Sequence, residues 1–174
     1  MIDQPKASKL AREAFDQWQA GRHEQSRLLY EEAIPFADPR HDGLSAYHGE
    51  YACVLNELAQ YDQATTQLEK SLEIELAQGH AEGSPAVIIA RYFLADQRLR
   101  LGDKERALET LLPSISHAPE DWLTRLAEAH ILHALGRQVE AKASAALAIA
   151  HAPTQEKADQ LRQALAEVFD IPGI

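Results

Sequence analysis

Hydrophobic positions recur along this chain with the period of helices, and turn residues interrupt them at regular intervals. Leu10, Ala11, Ala14, Phe15 and Trp18 predict a first helix that begins near Pro5 to Ser8 and stops at Gly21. Leu28, Leu29, Tyr30, Ala33 and Ile34 predict a second from about His23 to Ala37, closed by the turn residues DPRHDG. A second hairpin opens near Ser45. Its first helix carries Tyr47, Tyr51, Ala52, Val54, Leu55 and Leu58; its second carries Ala64, Leu68, Ser71 and Leu72 and ends at Gly79.

A third hairpin is predicted from Pro85 to Pro119, with Ile88, Ile89, Tyr92, Leu94, Ala95 and Leu99 on its first helix. Gly102 ends that helix and Asp103 is placed to cap the next, which carries Ala107, Leu108, Leu111, Leu112 and Ile115. Pro113 lies inside this second helix, where it removes a backbone hydrogen bond and favours a bend. The fourth hairpin, Asp121 to His151, follows the same plan with an alanine-rich second helix. A last helix runs from about Gln155 to Phe169 behind the cap residue Thr154, with Ala158, Leu161, Leu165, Val168 and Phe169 on one face and polar residues on the other. Such a helix suits the end of a stack, whose final unit otherwise exposes its stacking face. The pattern is all-α.

Two of these hairpins are copies. LGDKERALETLLPSISHAP from Leu101 and LGRQVEAKASAALAIAHAP from Leu135 align without a gap through Leu, Gly, Ala, Ile and the closing His-Ala-Pro. A period of ~34 residues marks a helix–turn–helix repeat. These residues resemble the tetratricopeptide repeat (TPR) family. The unit at about 122–155 matches through Trp122, Ala129, Leu135, Gly136, Ala141, Ala148 and Pro153, and that at about 88–121 through Leu94, Ala95, Leu101, Gly102, Ala107, Leu111 and Pro119. The unit at about 45–78 keeps Tyr51, Ala52, Tyr61, Ala64, Leu68 and Leu72, with Ala59 in place of the turn glycine. The unit at about 7–40 keeps Leu10, Ala14, Gly21, Tyr30 and Ala33, with Ser26 at a usual alanine position. The spacing between the first three units exceeds the family period, so their connections should bulge or their helices lengthen. The resemblance implies one domain over residues 1–174: a right-handed superhelix of four antiparallel helix pairs and a capping helix at about 155–169. It also implies a concave groove, lined by the first helix of each pair, that holds a peptide, helix or loop of another protein.

Carried across by register, the groove positions expected to bind a partner are Trp18, Asn56, Tyr92, Asp96, Leu99, Arg100, His130 and His133. Ala11, Phe15, Gln19, Gly49, Cys53, Glu57 and Leu126 share the same register. An aromatic and aliphatic lining with a few polar handles suits an apolar segment. For Trp18 and Tyr92 the plainer alternative is helix-to-helix core, and for Phe15 that alternative is favoured. Some family members clamp a terminal carboxylate with lysine and asparagine in the first unit; Ala11 and Phe15 stand at those positions here, so that clamp is incomplete. Arg91, Arg98 and Arg100 remain as handles for a carboxylate, against the favoured alternative that they are solvated or pair with Asp96 and nearby glutamates.

The formal charge of −10 and the scatter of basic residues argue against nucleic acid, which needs clustered Lys and Arg. No apolar run approaches the ~20 residues of a membrane helix, the N-terminus lacks the apolar core of a secretory signal, and the single Cys53 fits a reducing compartment. A cytoplasmic location is expected. No phosphate loop, nucleophile elbow or carboxylate pair is present. The expectation is therefore a non-enzymatic interaction module with no cofactor, no metal and another protein as its partner. Three other readings stay open: a dedicated inhibitor, immunity protein or secretion chaperone that masks one cognate protein; self-association as a homodimer; and a metal-dependent helical enzyme using His130 and His133. The last lacks a third ligand, since zinc takes three or four protein side chains. His117 and His151, equivalent in the repeat, are placed to meet the carbonyls at a helix end.

Overall fold

The computed structural model describes residues 1–169, and among them every regular element is helical. The chain divides into two compact units, residues 1–80 and residues from 81 onward. In the first unit α1 (Gln4–Gln19) pairs with α2 (His23–Ala33), and α3 (Leu44–Glu57) pairs with α4 (Tyr61–Ala77). In the second, α5 (Pro85–Arg100) pairs with α6 (Lys104–His117) and α7 (Trp122–Ala134) with α8 (Gln138–Ala150), while α9 (Gln155–Phe169) packs on α8. First helices also touch first helices within each unit, α1 against α3 and α5 against α7. That neighbouring of pairs is the nesting the repeat pattern predicts.

The turns explain why the glycines keep their register. After α5 the chain enters the left-handed region at Gly102 (φ +85°), whose N–H bonds the Leu99 carbonyl while the Asp103 N–H bonds that of Arg98. This two-bond closure satisfies carbonyls that the helix end leaves open. The same closure follows α1 at Gly21, α4 at Gly79 and α7 at Gly136. After α3 it is made by Ala59, at φ +57°, the one residue other than glycine with positive φ among the described residues. A Cβ at that φ meets the neighbouring carbonyl and costs roughly 1–2 kcal/mol. The substitution noted in the sequence thus keeps the turn but strains it.

Helix starts follow their caps. Asp3 accepts from the Lys6 N–H at 3.1 Å, so α1 begins at Gln4, ahead of the expected Pro5 to Ser8. Asp103 and Asp121 cap α6 and α7 in the same way, and Thr154 caps α9. The second helix is shorter than the apolar stripe suggested: α2 ends at Ala33, and Ile34–Phe36 tighten into a single 3-10 turn around Pro35. Pro113, by contrast, is carried within α6, which continues to His117.

The two units bury different polar groups among their apolar side chains. In the second unit Ala129, Leu132, Ala141, Ala145 and Ile149 close on Leu161, Leu165 and Phe169 of α9, so the last helix covers the final pair as expected of a cap. In the first unit Ser26, at the usual alanine position, is fully buried and donates to the Ala14 carbonyl at 2.7 Å. Ser45 bonds Ser71 at 2.9 Å, and the His48 Nδ1 meets the Gln67 Oε1 at 2.7 Å. Burial holds His48 below the usual histidine range, opposed by that bond.

Candidate protein-binding surfaces

In the second unit the first helix α5 leaves large apolar side chains in water. On α5, Ile89, Phe93, Asp96 and Arg100 fall on one stripe by helical spacing. Ile89 and Phe93 are each 47% exposed, whereas Val87, Leu94 and Ala95 on the opposite side are buried. The sequence pattern assigned Ile88 and Ile89 to this helix without choosing between them, and the structure buries Ile88 and leaves Ile89 outside, because α5 carries apolar residues on several faces. The Tyr92 ring meets Phe93 edge to face, with centroids 5.3 Å apart. Burial and the Asp96 carboxylate push the Tyr92 phenol above its ordinary range. Asp96 is itself tied to Arg100 at 2.8 Å.

Tyr92, Asp96, Leu99 and His130 meet around a small cavity of about 20 Å³, with Ala127 and Ile131 completing its walls. That volume suits about one water molecule. Burial holds His130 below the usual range, against the pull of Asp96, so the imidazole is neutral near pH 7. His130 and His133 both face Phe169 of α9, at ring distances of 5.8 and 5.0 Å, and the His133 Nδ1 lies 2.8 Å from the Gln138 Oε1. The two imidazoles therefore help to seat the capping helix. No group of three or more histidine, cysteine, aspartate or glutamate side chains among the described residues is arranged to hold a metal ion.

Arg91 is not a handle for a partner. It is buried, grips the Glu82 carboxylate through two nitrogens at 2.8 and 2.7 Å, and donates to the Thr110 carbonyl at 3.0 Å. Arg98 likewise bonds the Thr110 hydroxyl. His117 meets a helix-end carbonyl as expected, its Nδ1 being 2.9 Å from the Pro113 oxygen, whereas His151 makes no such bond among the described residues.

In the first unit Trp18 on α1 is half-buried and packs edge to face on Phe15, 5.7 Å between centroids, with Phe15 left 38% exposed. Asn56 is half-buried on the neighbouring first helix, α3. A feature the register did not single out lies one residue past Gly49. Glu50 accepts a hydrogen bond at 2.8 Å from the hydroxyl of Tyr30, a fully buried residue of α2. Burial raises the Glu50 carboxyl above its usual range, and the Tyr30 bond opposes the shift. Tyr30 stacks on Tyr51, whose hydroxyl donates to Glu31 at 2.8 Å. The signal in the sequence was an acid within an otherwise apolar and small-residue stretch, LSAYHGEYACVL. A separate open cleft of about 840 Å³ lies among Ile34, Pro39, Leu44, His48 and Ile74, rimmed by Arg40, Asp42, Lys70 and Glu73; it holds none of the eight expected residues.

No helix of the described residues is long and apolar enough to cross a membrane. No protein-family model matches the sequence, and no curated protein matches it. Solved structures do. BtubC (BKLC) from P. vanneervenii matches 94% of this chain and 71% of its own at TM-score 0.75 and 17% identity. A putative kinesin light chain from Podosopora anserina, with nearly identical TPR-like repeats, matches 96% of this chain and 90% of its own at TM-score 0.69 and 18% identity. MamA from Desulfovibrio magneticus RS-1 matches 95% of this chain and 94% of its own at TM-score 0.65 and 14% identity. The fold is an all-α, TPR-type helical repeat, as the residue register implied.

Proposed function

We propose that the chain is a non-enzymatic protein–protein interaction module that seats a peptide, helix or loop of a partner on the exposed faces of its first helices. The observation that carries this reading is the position of Ile89 and Phe93, two large apolar side chains half in water on a helix whose opposite side, at Val87, Leu94 and Ala95, is buried. Such a patch costs solubility and is useful when something covers it. Tyr92, Leu99 and the Asp96–Arg100 pair beside it offer a semi-rigid aromatic wall and polar handles for orientation. Phe15 and Trp18 supply a comparable aromatic pair in the first unit.

The test is capture of partners by the intact chain from its native cell, followed by titration of the purified partner. Phe93→Ser should weaken binding by about tenfold or more, as loss of an interface anchor does, with helicity and melting temperature unchanged. Trp18→Ala is the matching change in the first unit. A partner that binds both variants as tightly as the parent would remove these faces from consideration.

A further inference from the structure

Most half-buried carboxylates of this protein are matched by a cation. Glu82 holds Arg91, Glu128 holds Arg125 at 2.7 Å, and Asp96 holds Arg100 at 2.8 Å. Glu50 departs from that pattern. Its carboxylate is held by the Tyr30 hydroxyl at 2.8 Å, and no lysine or arginine among the described residues forms an ion pair with it. An ionised carboxylate kept partly out of water without a counter-charge is a cost to the free protein. The hydroxyl behind it is fully buried, so one oxygen is fixed and the group is oriented. Resting on the function proposed above, we propose that the α1–α3 face of the first unit takes a partner segment presenting a lysine or arginine beside a large apolar side chain, with Glu50 as the anchor for the cation.

The surroundings suit that occupant. Glu57, exposed and two turns further along α3, lies on the same side of the helix as Glu50. Phe15 and Trp18 stand on α1, which touches α3, and offer both an apolar contact and ring faces for a cation. Arg12, one turn before Phe15, is exposed. Residues 1–80 carry 14 acidic against 7 basic side chains, so the long-range field also favours a basic segment.

The experiment selects binders for the intact chain from a random dodecapeptide library, then titrates the enriched peptides against the parent, Glu50→Gln and Phe15→Ala. Glutamine keeps an acceptor for the Tyr30 hydroxyl, and a thermal melt confirms that the variant is folded. The expected result is enrichment of Lys or Arg next to Leu, Phe or Trp, about tenfold weaker binding to Glu50→Gln, and affinity that falls as salt is raised. Peptides weakened by Phe15→Ala but indifferent to Glu50→Gln overturn this assignment and leave the interaction reading standing. Enrichment of acidic peptides overturns it as well. Failure to enrich any peptide that responds to either substitution overturns both.

Discussion

The two units solve the same packing problem with different chemistry. Residues from 81 onward follow the ~34-residue period closely, turn on Gly102 and Gly136, and fill the space between helices with alanine, leucine and isoleucine. The first unit departs from the period, turns once on Ala59, and places hydroxyls and a histidine inside, with a half-buried carboxylate bonded to one of those hydroxyls. Each of those polar groups has a hydrogen-bond partner, and Glu50 is left at the surface of α3. Strict repetition lines its helix interfaces with small and aliphatic side chains, keeps Arg91, Thr110 and Ser144 buried among them, and leaves an apolar patch on α5. Relaxed repetition buries Ser26, Ser45 and His48 among alanines, leucines and tyrosines and presents an acidic, aromatic face. The difference shows that the repeat pattern constrains where helices lie more tightly than what they present.

The comparison breaks most easily in the second unit. Leu111 is fully buried between α5, α6 and α7, and Leu111→Ala should cost about 3 kcal/mol by lost transfer energy and an unfilled cavity. Urea melts measure it. A smaller and more telling pair of changes concerns the turns. Gly102→Ala should destabilise by about 1 kcal/mol although nothing lies within 4 Å of the added Cβ, because the φ of +85° is the whole penalty. Ala59→Gly should move stability the other way by up to about 1 kcal/mol, the relief of strain being partly offset by the entropy of glycine in the unfolded chain. Opposite signs in thermal melts would show that the first unit carries at its turn a strain the second avoids.

The smallest effect sharpens the contrast through pH. The Glu50 carboxyl is raised in the folded protein, so folding favours the protonated form and the ionised form is penalised at neutral pH. That penalty is full above the folded value and disappears as pH falls below the ordinary glutamate range. Glu50→Gln should therefore stabilise the free chain by a few tenths of a kcal/mol near pH 7, with the gain vanishing on acidification. Melts of parent and variant across that range, read as a difference, isolate the group from other titrations. A variant less stable at neutral pH would mean that the charged carboxylate contributes to the fold.

Helix number, pairing and the glycine turns could all be read from the chain, because they depend on short-range spacing and on φ, both of which a sequence displays. The capping role of α9 was legible for the same reason: Leu161, Leu165 and Phe169 repeat at helical spacing and are buried. Four of the eight candidate residues, Tyr92, Asp96, Leu99 and His130, line one cavity, since register along α5 and α7 fixes which turns face each other. What the sequence hid was the choice of outward face on α5. Ile88 is 7% exposed and Ile89 47%, a difference set by which neighbour each meets rather than by residue type. The pairing state of charges was hidden too. Arg91 and Arg100 look alike in a sequence, yet one is locked inside by Glu82 and Thr110 and the other is at the rim.

That lock bears on how the chain tolerates change in length. Glu82, Arg91 and Thr110 staple the segment before α5 to the middle of α6, so residues 82–84 behave as part of the third hairpin rather than as slack connecting cord. Extra residues grafted there would have to pull a seated guanidinium out of its socket. Inserted just upstream, beside the exposed Ala81 and past the closure made by Gly79 and His80, they would leave the staple closed. The additional spacing by which the early repeats exceed the later ones has a natural place to accumulate on the near side of that fastening.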